Sequence, residues 1–100
     1  MNCTSGISRV VVTGIGAVTA LGQDVETFWS SMKQGKCGVK TLEGPHFENL
    51  PIRIAAPVVD FDYKERLKHW KRDRTILQSE RVNWLAAAAA DEAISAAELE

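Results

Sequence analysis

Nucleophiles, bases and clustered charges are the groups that do chemistry, and this sequence spaces few of them usefully. Its two cysteines are Cys3 and Cys37. Cys37 stands between Lys36 and Gly38, and a cationic neighbour is one feature that activates a thiol. No histidine is placed by sequence to serve it as a base. His46 and His69 stand singly in polar surroundings and read as surface residues. Asp60 and Asp62 flank Phe61. A carboxylate pair could do acid–base work, but two acids near a strand end are ordinarily solvated. No Cys-x-x-Cys motif and no histidine–cysteine cluster suggests zinc. These residues by themselves show no complete active site.

Two further segments invite a binding role. Val12-Thr13-Gly14-Ile15-Gly16-Ala17-Val18-Thr19 sets glycines behind a β-branched run. A dinucleotide site wants Gly-x-Gly-x-x-Gly opening directly into a helix. Here Thr19 takes the third glycine's place, and the next helix is predicted only near residue 25. The segment reads instead as a tight turn leaving a buried strand. The second is the basic run Lys64, Arg66, Lys68, His69, Lys71, Arg72 and Arg74, with Glu65 and Asp73 as its only acids. It reads either as a solvated helix face or as a docking patch for an acidic partner. Trp70 within it supplies apolar contact area.

The elements must position these groups. The chain has 100 residues, 45% hydrophobic and 25% charged, an ordinary globular composition. A net charge of -1 and a pI near 6.1 make no global case for nucleic acid. No apolar run approaches a membrane span, and no basic-then-apolar start marks a signal peptide. Arg9-Val10-Val11-Val12-Thr13 predicts a strand buried on both faces. Residues 14–23 read as a loop. Asp24 suits an N-cap, Val25, Phe28, Trp29 and Met32 recur at helical spacing, and Gly35 suits a helix end. These predict a helix over 25–34. Residues 36–51 read as a loop, 52–59 as a second strand with Pro57 at an edge or end, and 63–70 as a short helix.

Thr75 to Gln78 has capping-box spacing, so a helix is predicted from there. Its apolar stripe is Val82, Leu85, Ala86, Ala89, Ala93, Ile94 and Ala97, and the alanines at 86–90 would let another backbone approach closely. Strand, helix, strand, helix gives an α/β layer fold with incomplete sheet content. Glu100 follows Leu99 without a closing turn or polar tail, so the sequence reads as the front of something longer.

The opening Arg9-Val10-Val11-Val12-Thr13-Gly14-Ile15-Gly16-Ala17-Val18-Thr19-Ala20-Leu21-Gly22 resembles the start of type II β-ketoacyl-[acyl-carrier-protein] synthases. Val25 to Trp29 is similar to that family's V-x-x-x-W helix start, and Gly35-Lys36-Cys37-Gly38 to its G-x-S/C-G turn. Ala55-Ala56-Pro57-Val58-Val59-Asp60-Phe61 is similar to its A-G/A-x-V-x-D-F segment, and the alanine-rich helix to its A-x-x-A-x-x-x-A-G-L helix. The resemblance covers about residues 9–100.

The resemblance implies a thiolase-like layered α/β/α fold, with residues 1–100 as its incomplete N-terminal part. It implies a cytoplasmic homodimer that condenses an acyl thioester with malonyl-acyl carrier protein by decarboxylative Claisen chemistry. The family's cysteine nucleophile and two histidines lie beyond residue 100, and neither Cys3 nor Cys37 matches the nucleophile. No cofactor, nucleic acid or membrane insertion is implied. The family's basic residues before the long helix contact the acidic acyl carrier protein. Arg72 and Arg74 are the best positional matches, with Lys68 and Lys71 beside them. Two departures stand out: Leu77-Gln78-Ser79-Glu80 replaces the usual R-x-M-D, and Ala97-Glu98-Leu99 lacks the usual glycine. They keep open a specialised synthase, a non-catalytic chain-length-factor-like subunit or a carrier-binding module.

Overall fold

The computed structural model describes residues 6–68 and 78–99. Along them run helix α1 (Val25–Lys33), strand β1 (Lys40–Thr41), strand β2 (Ile54–Ala55), helix α2 (Tyr63–Arg66) and helix α3 (Arg81–Ala96). The architecture is mixed helix and strand, and among the described residues the one sheet is the antiparallel β1–β2 pair, with Lys40 opposite Ala55 and Thr41 opposite Ile54. The radius of gyration is 18.0 Å, against about 13 Å for a closed 100-residue domain. Much apolar surface is therefore open.

α1 forms where its sequence signals stand. Asp24 takes the N-cap in extended backbone, and its carboxylate accepts from the Thr27 N–H at 2.7 Å. The helix stops at Gly35 (φ 71°), whose N–H donates to the Met32 carbonyl while the Lys36 N–H donates to that of Ser31. This paired closure is the Schellman motif. The face it buries differs from the expected one. Ser31 is the buried residue, donating its hydroxyl to the Leu21 carbonyl, whereas Trp29 and Met32 are exposed. Trp29 instead carries the Lys33 ammonium 5.9 Å from its ring centroid.

Residues 9–13 correct the expected buried strand. They form no strand, and Val10 and Val12 are 92% and 81% exposed. A β-branched run favours extended backbone, but a strand also needs a ladder partner, and none lies among the described residues. The strand expected over 52–59 shrinks to Ile54–Ala55, and its partner β1 falls in the stretch expected to be loop. Pairing of two residues has no periodicity for a sequence to reveal.

α3 begins at Arg81, later than the capping-box spacing suggested. Glu80 is its N-cap residue without a side-chain cap bond, and Gln78 lies in a preceding turn. Thr75 is outside the described residues. Ala87 and Ala88 are its buried residues, while Val82, Ala86 and Ile94 of the expected stripe are exposed. The close approach expected at the alanines is present. Gly14 and Gly16 lie against α3, and a Cβ on either would collide with the Ala93 or Ala89 carbonyl oxygen. Among the described residues the buried core is Phe61, Leu67, Ala87 and Ala88. Tyr63 of α2 stacks on Trp84 of α3, with centroids 3.8 Å apart and planes 8° apart.

Candidate functional site

The glycine segment serves packing. Its two leading glycines seat the loop on α3, and the loop closes on itself through Thr19, whose N–H donates to the Gly22 carbonyl at 2.8 Å and whose hydroxyl accepts from the Leu21 and Gly22 N–H groups. Glu92 of α3 fixes this arrangement. Its Oε1 accepts from the Ala17 N–H and its Oε2 from the Val25 N–H, both at 3.0 Å. One carboxylate thus holds the loop at one end and the start of α1 at the other. Sequence reasoning missed it, because a single acid on an alanine-rich helix carries no signal of partners so far back in the chain.

Asp24 sits beside that carboxylate on the α1 N-terminus. The Thr27 backbone N–H holds its carboxyl below the usual aspartate range, helped by the Thr27 hydroxyl and the Arg66 guanidinium, with burial opposing. The other candidate acids are also structural. Asp62 caps α2, accepting from the Lys64 and Glu65 N–H groups, and Asp60 occupies left-handed backbone at φ 57°. Cys37 and His46 are both exposed. Among the described residues no cluster of metal-ligating side chains exists.

The basic run divides. Lys64 and Lys68 are exposed, and Lys68 pairs with Glu65 at 2.9 Å in water-facing positions, a contact of small energy. Arg66 turns inward: its Nη1 donates to the Gln23 carbonyl at 2.7 Å and its guanidinium lies 6.0 Å from the Phe61 ring centroid. Arg81 approaches the same ring at 5.9 Å and donates to the Val58 carbonyl at 2.6 Å. Gln23 in turn donates to the Val59 carbonyl at 2.7 Å. Of the proposed docking residues, Lys68 is placed on the surface; Lys71, Arg72 and Arg74 lie outside the described residues, as do His69 and Trp70. No helix among the described residues is long and apolar enough to cross a membrane.

Comparison with known proteins places this arrangement. Residues 8–100 match the family model for the β-ketoacyl synthase N-terminal domain. A putative mitochondrial 3-oxoacyl-[acyl-carrier-protein] synthase of Schizosaccharomyces pombe is 45% identical over 53 residues, 52% of this chain and 12% of that protein. A 3-oxoacyl-[acyl-carrier-protein] synthase 2 of Coxiella burnetii is 44% identical over 54 residues, 54% of this chain and 13% of that protein. A putative polyketide β-ketoacyl synthase 2 of Streptomyces cyaneus is 33% identical over 91 residues, 91% of this chain and 21% of that protein. The chain thus spans 12–21% of the length of these relatives. With the family match running from residue 8 to residue 100, the chain belongs to the β-ketoacyl synthase family, within its N-terminal domain.

Proposed function

We propose that this chain is the N-terminal part of a 3-oxoacyl-[acyl-carrier-protein] synthase with a thiolase-like layered fold. The observation that carries the reading is the match of residues 8–100 to the family's N-terminal domain. The open faces of Val10 to Val12 suit a strand whose neighbours belong to the rest of such a domain. In the reaction, a cysteine thiolate takes the acyl group from its thioester, releasing the carrier thiol. Malonyl thioester then loses carbon dioxide, and the resulting carbanion attacks the enzyme-bound acyl carbon. A carbon–carbon bond forms, and the thiolate leaves. The groups for these steps are assigned beyond residue 100. The protein is proposed to act in the cytoplasm as a homodimer.

This segment's own contribution is recognition. Lys68, Lys71, Arg72 and Arg74 are proposed to dock the acidic acyl carrier protein. The density of cations in residues 64–74 supports this reading. The Leu77-Gln78-Ser79-Glu80 departure keeps a specialised synthase open. The alternative is a non-catalytic chain-length-factor-like subunit, or a module that only binds the carrier.

The test is the intact mass of the protein from its own cell, followed by a condensation assay. A mass several times 11.0 kDa and carbon dioxide release with a malonyl-carrier substrate are expected. A full-length protein that binds carrier but condenses nothing would turn the reading to the non-catalytic subunit. Reversing Arg72 and Arg74 to Glu is expected to weaken carrier binding more than it changes thermal stability, and added salt to weaken the wild-type interaction. Unchanged affinity in the double variant would reject the docking assignment.

A further inference from the structure

We infer that Arg66, held on Phe61, is a positioning residue that aims α2 and its exposed lysines at the carrier, rather than a docking cation itself. The inference rests on the docking reading above and divides the basic run by role.

α2 has four residues, too few to be stable in isolation. Its orientation must come from what grips it. Leu67 at its end is completely buried, Tyr63 stacks on Trp84, and Asp62 caps its start. Of these, the Tyr63–Trp84 stack fixes α2 to α3. Arg66 adds the link to the α1 side, through the carbonyl of Gln23. A charged donor makes this bond stronger than a neutral one. Gln23 is itself tied to Val59, and Arg81 reaches Val58 from the start of α3 while facing the same Phe61 ring. Two guanidinium groups on one aromatic ring thus join the start of α3, the end of α2 and the segment before it.

The two lysines on this small frame have the opposite character. Lys64 and Lys68 are exposed, and Glu65, the partner of Lys68, is exposed too. An outside carboxylate can replace Glu65 at little cost. Arg66 is half-buried and spends its charge on a backbone carbonyl and on the Phe61 ring. Counted as charge, the run treats all its cations alike. By placement, Arg66 sets the geometry and the lysines face outward.

The test uses the full-length protein with holo-acyl carrier protein. Arg66→Gln removes both the anchor and a charge. Phe61→Leu keeps every charge and removes the ring. Arg81→Lys also keeps the charge and removes the guanidinium from the ring, which guards against a Phe61 variant that fails to fold. All three are expected to raise KM for the carrier-borne substrate about three- to five-fold, the range of a contact worth up to about 1 kcal/mol. They should leave kcat, and KM for an acyl-pantetheine thioester, near wild type. A rise in Arg66→Gln alone would make Arg66 a docking cation and overturn the inference. Equal loss on both substrates would make the cluster merely structural and overturn it too. If Arg72→Glu/Arg74→Glu weakens docking while these variants do not, the docking reading stands and the inference fails. If no variant has an effect, both fail.

Discussion

α1 and α3 end in the same backbone motif but reach it with different residues. At α1 the left-handed position is Gly35, at φ 71°. At α3 it is Glu98, at φ 59°, and the bonds repeat: the Glu98 N–H donates to the Ser95 carbonyl and the Leu99 N–H to that of Ile94. The starts contrast as well. α1 has Asp24 and Glu92 on its first amides, whereas the N-cap residue of α3, Glu80, makes no side-chain cap bond. α1 is therefore a helix specified by its ends. α3 is specified by its body, where alanines let Gly14 and Gly16 press against the backbone. Terminal signals are local and legible; body contacts depend on what arrives from elsewhere in the chain.

The largest expected effect breaks the body of α3. Gly16→Ala drives a Cβ into the Ala89 carbonyl, and α3 or the loop must move. A loss of about 3 kcal/mol is expected, read as a fall in the denaturant midpoint of the full-length protein. A variant as stable as wild type would show that α3 and the loop are not pressed together.

Next comes the carboxylate that joins the two helices. Glu92→Ala leaves the Ala17 and Val25 amides without their acceptor. Charged hydrogen bonds of this kind are worth about 1.5–3 kcal/mol each when buried. These are only partly buried, so a total near 2 kcal/mol is expected. Amide exchange at Ala17 and Val25 should quicken together; acceleration at one alone would separate the two bonds.

The cap of α1 is smaller. Asp24→Ala should cost about 1 kcal/mol. Because folding depresses the Asp24 carboxyl, its contribution is present above the unfolded-state value and is lost as pH falls through the folded value. The difference between wild type and Asp24→Ala should therefore be full at neutral pH and shrink below about pH 4. A difference that stays constant down to pH 2 would remove the charged bond from the account.

The smallest pair sharpens the comparison of helix ends. Glu98→Gly relieves a left-handed Glu and should stabilise by about 0.5–1 kcal/mol, while Gly35→Ala should destabilise by a similar amount. Gly35 has open space around it, so this loss isolates backbone conformation from collision. Equal signs in the two variants would contradict the shared motif.

The same contrast explains what the residues alone revealed. Asp24, the helical spacing after it and Gly35 bounded α1 to within a residue. The alanines announced α3 and its close contact, but not its start, because the Thr75–Gln78 spacing competes with a site at Glu80 that has no capping signal. Val10 to Val12 favour a strand by residue type, but neither a ladder partner nor a burying neighbour lies among the described residues. The basic run was legible as charge. That Arg66 turns inward depends on Phe61 and Gln23, which no spacing connects to it. Glu92 was invisible for the same reason.

Glu92 also sets a schedule. Its bonds reach back 75 residues to Ala17 and 67 to Val25. Chains emerge from synthesis at about 5–20 residues per second, so the glycine loop waits roughly 4–15 seconds for the carboxylate that will hold it. During that interval Val10, Val11 and Val12 are presented beside a loop not yet seated, and a β-branched segment without a ladder partner is a template for wrong pairing. Glu92 ends the wait of the loop but not that of the valines: Val10 and Val12 stay 92% and 81% exposed once its bonds are made, so their exposure outlasts the seating of the loop.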